Sequence, residues 1–158
     1  MTERHTLGAV RVFVDTSAYY AIAASENTRH NAADTILRGL DESVTRLFTT
    51  NFVLAETHAL LLIRRGRDLA ARVLGAIDES PTVVVRVSYR DEQRARQIIR
   101  QYDDKDFSLT DATSFAVMER LRIATAFTFD RTALLNSAGH HQPAGTWAVG
   151  TVLAPNIS

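Results

Sequence analysis

Four carboxylates stand where a soluble chain has little structural use for them, and their placement suits one kind of chemistry. Asp15 closes an apolar run, Val-Phe-Val-Asp-Thr-Ser (Val12 to Ser17), and Glu56 interrupts the apolar stretch from Phe52 to Ile63. Asp111 opens a helical pattern, and Asp130 closes a second apolar run, Ala-Phe-Thr-Phe-Asp (Ala126 to Asp130). If folding brings the four together, their repulsion must be relieved, and arginine alone would do so only by blocking the space between them. A hard divalent cation with oxygen ligands resolves the conflict. Such a centre suits metal-dependent attack on a phosphodiester.

Each acid also has a plainer use. Asp15 serves equally well as the N-cap of the helix that follows it. Asp111 has the same option, although Thr110 already offers a cap, and Asp130 beside Arg131 could form an ordinary loop ion pair. Glu56 is the sharper case. Phe52, Glu56, Leu60 and Ile63 follow one stripe of a helix, and a carboxylate on a buried stripe requires an arginine or a metal. His58 lies on another face of that helix, which makes it a poor co-ligand, and His140 and His141 fall in a late Gly/Pro/His-rich loop.

The elements that must position these acids follow from periodicity and caps. Arg11 to Val14 is a short buried strand. Thr16 and Ser17 can cap a helix running through Tyr20 and Ala24, and Asn31 to Leu40 forms a second helix after a polar break at Asn27 to His30. Leu47 to Thr49 is a strand, Asn51 caps the helix Phe52 to Arg64, and Gly66 separates it from Arg67 to Ile77. The β-branched run Thr82 to Val87 is the clearest strand pattern in the chain. Ser88 with Asp91 starts a helix through Tyr102 in the manner of a capping box. A charged loop from Asp103 to Leu109 then precedes the helix Asp111 to Leu121, capped by Thr110. Ala124 to Phe129 is a strand, Thr132 to Ser137 a short helix, and Trp147 to Val149 a last strand.

Strands alternating with helices require crossover connections, hence a mainly parallel sheet covered on both faces. Ligands in such sheets bind beyond the carboxyl ends of the strands. Asp15 and Asp130 end strands and Asp111 begins a helix, so all three fall on that rim.

Composition sets the outer bounds. The chain has 158 residues, 46% hydrophobic and 23% charged, which suits one globular domain: a leader over 1–10, the domain over 11–150 and a tail over 151–158. With no cysteine, disulfides, thiolate catalysis and cysteine zinc sites are excluded. The first ten residues lack the apolar core of a signal peptide, and no run is long enough to span a bilayer, so a cytoplasmic location is expected. The net charge of +0, from 18 basic and 18 acidic residues, argues against broad electrostatic capture of nucleic acid but leaves local patches open. Arg64, Arg65 and Arg67 form such a cluster at a helix end, where they also complement the helix dipole.

Four segments carry a resemblance to the PIN-domain ribonucleases, and within them to the VapC-like toxins of bacterial toxin–antitoxin pairs. They are Val-Phe-Val-Asp15-Thr-Ser-Ala-Tyr; Thr49-Thr50-Asn51-Phe-Val-Leu-Ala-Glu56-Thr; Phe107-Ser-Leu-Thr110-Asp111-Ala-Thr-Ser-Phe-Ala-Val; and Ala-Phe-Thr128-Phe-Asp130-Arg. The resemblance implies a three-layer α/β/α sandwich with a mainly parallel sheet and an Mg²⁺- or Mn²⁺-dependent endoribonuclease acting on single-stranded or structured-loop RNA. It assigns the acidic cluster to Asp15, Glu56, Asp111 and Asp130, with Thr16, Ser17, Asn51 and Thr128 as supporting polar residues. It also implies homodimers and inhibition by a cognate antitoxin wrapped around the early helices, Ser17 to Leu40. The chain departs from the family in its first ten residues, since the first strand usually starts almost at the initiator Met, and in a tail beyond Val149 that is somewhat long.

Three other functions are weighed against this one. A phosphatase of the haloacid-dehalogenase kind needs a second acid two residues after its nucleophile, and Ser17 stands there instead. A non-catalytic RNA- or protein-binding domain on the same fold would normally have lost one of the four acids. A PIN-fold RNA-processing nuclease without an antitoxin shares all the same residues, and the neighbouring reading frame separates it from a toxin.

Overall fold

The structure is a computed structural model and describes residues 9–130. The helix Thr132 to Ser137, the strand Trp147 to Val149 and His140 and His141 lie outside the described residues, as do most of the leader and the whole tail.

Among the described residues four strands form one parallel sheet: β1 (Val10–Val14), β2 (Thr45–Thr50), β3 (Val83–Val85) and β4 (Thr125–Phe127). Six helices among the described residues accompany them: α1 (Thr16–Ala23), α2 (His30–Gly39), α3 (Asn51–Arg65), α4 (Arg67–Glu79), α5 (Tyr89–Gln101) and α6 (Leu109–Leu121). The result is the three-layer α/β/α sandwich with a parallel central sheet.

Strand order is β3-β2-β1-β4, with Val12 opposite both Leu47 and Thr125, and Phe13 opposite both Phe48 and Ala126. Val12, Phe13 and Val14 are consecutive and all buried, which only a strand covered on both faces allows. Truncating Phe13 to alanine would remove roughly 3–5 kcal/mol. The chain winds from β1 outward to β3 and then returns to β1's other side as β4. The direction of winding therefore reverses between β1 and β4, and the crevice beyond their carboxyl ends is the natural ligand position.

Several caps differ from the sequence expectation, each by a residue or two. At α1 the cap is Asp15, as the plainer of its two readings has it, rather than Thr16 or Ser17, which lie in the helix's first turn. Thr50 caps α3, its Oγ1 accepting from Val53 N at 3.1 Å. Asn51 is the first helical residue, and its Oδ1 accepts from Val87 N at 2.9 Å, tying α3 to the segment after β3. Ser108 rather than Thr110 caps α6. Gly66, at φ 92°, is the whole link between α3 and α4, a backbone position that disfavours any side chain. The valine run that reads as the clearest strand forms only three residues of strand, Val83–Val85, paired with β2.

Candidate active site on the carboxyl rim

Local structure brings Asp15 to the rim first. It follows β1, and its Oδ1 accepts from Ala18 N at 3.0 Å and from Ser17 Oγ at 2.7 Å. Capping α1 therefore leaves Asp15 on the rim beyond β1. Glu56 sits in the second turn of α3, half-buried, where Oε2 accepts from Thr16 Oγ1 at 2.8 Å. Asp111 is the third residue of α6, and its Oδ2 accepts from Ser108 N at 3.0 Å while Ser108 Oγ accepts from Asp111 N at 3.0 Å. Asp130 follows β4, its backbone N held by Thr128 Oγ1 at 3.0 Å.

The expected role of the Phe52–Ile63 stripe does not hold. Val53, Thr57 and Leu61 are the buried ridge of α3, while Ile63 is 83% exposed. Glu56 lies beside that ridge rather than on it, so a hydroxyl from α1 suffices as its protein partner and no arginine is needed.

Electrostatics tie the acids to one another. Burial pushes the Asp15 carboxyl up to about 6, with the Thr128 hydroxyl, the Ala18 amide and the Ser17 hydroxyl pulling against it and the charge of Asp111 adding to it. Glu56 is raised by burial, opposed by Thr16, and again pushed by Asp111. Asp111 is raised by burial, opposed by its Ser108 capping bonds, and pushed by Asp130. Asp111 is thus the hub, coupled to each of the other three acids. Such upward pushes go with carboxylates that no cation answers.

The donor set is all oxygen. Among the described residues, the second oxygen of Glu56 and that of Asp111 accept no hydrogen bond, so each acid is oriented through one oxygen and offers the other. Carboxylates and hydroxyls of this kind suit a hard cation such as Mg²⁺ or Mn²⁺. As they stand, no three acidic or imidazole groups among the described residues are close enough to enclose one ion.

The polar residues around the acids divide into two groups. Ser17 joins α1 to the end of β4: its Oγ donates to Asp15, lies 3.2 Å from Thr128 Oγ1 and accepts from Phe129 N at 2.8 Å. Thr16, Ser17 and Thr128 therefore belong to the network around the acids. The Oδ1 of Asn51 is committed to Val87 instead. Arg64 stacks over Tyr20, 5.8 Å from its ring centroid, and Arg65 pairs with Glu26 at 2.7 Å and donates to the Tyr20 hydroxyl at 3.3 Å. Arg67 opens α4. By helix rise, Arg64 lies roughly 12 Å along α3 from Glu56. Asp104 pairs with Lys105.

One rim residue escaped the sequence reading. Arg29 donates from Nη1 to the carbonyl of Phe129 at 2.7 Å, and its guanidinium lies 5.7 Å from that ring's centroid. It sits in a polar break a hundred positions from its partner, where no local pattern marks it.

Comparison with known proteins agrees with this fold. Residues 12–136 match the PIN domain. The chain is 37% identical over 120 residues to the 23S rRNA-specific endonuclease VapC20 of Mycobacterium tuberculosis, spanning 75% of this chain and 88% of that one. The crystal structure of M. tuberculosis VapC20, a sarcin–ricin loop cleaving toxin, matches with a TM-score of 0.70 and 32% identity over 75% of this chain and 89% of that chain. FitAcB from Neisseria gonorrhoeae matches at a TM-score of 0.58 over 77% of this chain and 88% of that one, and at 13% identity it bears on the fold alone.

Proposed function

The chain belongs to the PIN-domain family, and from that premise we propose that it is a metal-dependent endoribonuclease acting as the toxin of a toxin–antitoxin pair. The observation that carries the reading is the acid rim, with Asp111 electrostatically coupled to Asp15, Glu56 and Asp130. The likeness to a 23S rRNA-specific endonuclease supports a loop of structured ribosomal RNA as the substrate class.

Asp15, Glu56, Asp111 and Asp130 would hold Mg²⁺ or Mn²⁺. When bound, the ion supplies charge neutralisation at the phosphate and a water of lowered pKa. The chain's own residues do the rest. Ser17 and the Ala18 amide fix one oxygen of Asp15, Thr16 fixes one of Glu56, and Ser108 fixes one of Asp111. The free oxygens of Glu56 and Asp111 are thereby aimed before substrate arrives, which keeps reorganisation small. A carboxylate in this group orients the attacking water and receives its proton. Single-stranded or looped RNA is the suitable substrate because its backbone is accessible to in-line attack and its bases can be splayed out.

An antitoxin would cover α1 and α2, which border the rim through Asp15 and Arg29, and would bring a basic residue towards the acids. Homodimerisation and a cytoplasmic place of action complete the proposal. No helix among the described residues is long and apolar enough to cross a membrane. Arg64 and Arg67 would serve as outlying contacts for the RNA backbone.

The test is cleavage of ribosomal RNA by the purified chain. Cleavage should require divalent metal, stop with EDTA and collapse in Asp15→Asn, and expression of the intact chain should slow bacterial growth while Asp15→Asn does not. Metal-independent cleavage, or undiminished toxicity in the variant, would remove the reading. Co-expression with the product of the neighbouring reading frame tests the antitoxin, and sedimentation tests the dimer.

A further inference from the structure

An acid rim repels the phosphates it is proposed to receive, so it needs positive charge beside it that the acids do not themselves consume. Most oriented arginines of the described residues fail that requirement. Arg38, Arg65, Arg94, Arg96 and Arg120 are each ion-paired with a carboxylate. Arg29 differs. Its guanidinium is held by a carbonyl oxygen and an aromatic face, both on Phe129, and among the described residues no carboxylate pairs with it. Neutral anchors fix the position of the group and leave its charge intact.

The anchorage is firm at both ends. Arg29's own backbone N donates to Asn27 Oδ1 at 2.8 Å, and Phe129 is 6% exposed with its N held by Ser17 Oγ at 2.8 Å. Arg29 itself is exposed. The residue after Phe129 is Asp130, so the guanidinium stands at the edge of the acid rim, with one of its five donors engaged.

We propose that Arg29 is a substrate-binding residue that takes a phosphate of single-stranded RNA flanking the scissile bond. The inference rests on the nuclease reading above. The fork of a guanidinium suits a phosphate better than an ammonium does, and its preset position spares the ordering cost of a free side chain. Arg11 is a built-in control: its Nη2 also donates to a carbonyl, that of Arg122, at 3.1 Å, but it lies at the amino end of β1, on the opposite rim.

The experiment compares Arg29→Gln, Arg29→Lys and Arg11→Gln in the full chain. Binding of a short fluorescein-labelled single-stranded RNA is followed by anisotropy across a salt series in EDTA, and cleavage kinetics are followed with Mn²⁺. Arg29→Gln keeps a donor for the Phe129 carbonyl and loses the charge. It should weaken binding about tenfold at low salt, the effect of one charge-assisted hydrogen bond. It should also flatten the salt dependence by about 0.7 in log–log slope, and raise KM more than it lowers kcat. Arg29→Lys should recover the slope and part of the affinity, and Arg11→Gln should match the wild type. Melting temperatures identify any variant that fails to fold, and for Arg29 the variant Arg29→Met, which also lacks the charge, then carries the slope measurement. Unchanged affinity and slope in Arg29→Gln, or an equal loss in Arg11→Gln, would overturn the inference while wild-type cleavage left the nuclease reading standing. A wild type that neither binds nor cleaves RNA would overturn both.

Discussion

Two helices of this chain begin with the same device and end in opposite electrostatic states. Ser88-Tyr-Arg-Asp91 opens α5 and Ser108-Leu-Thr-Asp111 opens α6, each as a reciprocal capping box. The bonds are nearly the same: Asp91 N donates to Ser88 Oγ at 3.2 Å and Asp111 N to Ser108 Oγ at 3.0 Å. Burial pushes both carboxyls up. For Asp91, whose side chain is 2% exposed, Arg120 answers with Nε at 2.8 Å and Nη2 at 2.9 Å, and the net result lies below the usual range. Asp111 has Asp130 beside it where Asp91 has an arginine, and the net result lies above. The difference separates an acid whose charge the fold balances with an arginine from one set beside another acid.

Substituting the two aspartates one at a time puts that contrast under the most strain. Asp111→Asn retains an acceptor for Ser108 N, so α6 keeps its start, yet cleavage should fall by about 100-fold or more, the cost of losing a group that acts on the transition state. Asp91→Asn should leave kcat/KM of the folded protein unchanged. Equal losses in the two variants, measured on the same RNA, would erase the distinction.

Stability should show the reverse order. Asp91→Asn leaves Arg120 without its partner, and because the Arg120 side chain is 43% exposed and can rehydrate, the loss should be roughly 2 kcal/mol rather than the full cost of a buried pair. Asp111→Asn removes repulsion and should leave metal-free stability equal or higher. Urea denaturation in EDTA measures both, and destabilisation by Asp111→Asn as large as by Asp91→Asn would count against the comparison.

The two regions also titrate in different windows. The Asp15 carboxyl moves from 3.8 unfolded to about 6 folded, so the folded state binds its proton more tightly. Its stabilising contribution is full below the unfolded value and is lost as pH rises through about 6, on the order of 2–3 kcal/mol. The metal-free protein should therefore melt higher at pH 5 than at pH 8, with a flatter profile in Asp15→Asn. Asp91, lowered in the fold, contributes stability at neutral pH that is lost only in more acidic solution. Added Mn²⁺ at pH 8 should raise the melting temperature and act less at pH 5, where protons compete for the same oxygens.

The smallest expected effect is at Ser17. Ser17→Ala removes the bonds to Asp15 and Phe129 N, costing about 1–2 kcal/mol and several-fold in cleavage, with metal affinity falling too. Loss of stability without loss of metal affinity would make Ser17 a structural tie alone.

How far each feature was legible in sequence follows the range of the interaction behind it. The parallel α/β class, the helix starts at Ser88 and the Gly66 break depend on neighbours within a few residues, and the structure has them where periodicity and caps place them. Caps slipped by a residue or two at Thr50 and Ser108, because adjacent Ser, Thr and Asp side chains compete for the same amides. The buried face of α3 was misplaced because Leu60 and Ile63 are as apolar as Leu61, and only packing against other elements decides which of them is covered.

By itself the sequence determined that four acids stand at element ends, that the fold is a parallel α/β sandwich, and which segments resemble a nuclease family. Only the tertiary structure decided which acid is neutralised. Asp91 and Asp111 have matching local sequence, and Arg120 is 29 positions from the first; Arg29 likewise reaches Phe129 across 100 positions. Charge interactions act through space and their strength depends on burial, so they are set by where the chain folds back on itself, which no window of neighbouring residues contains.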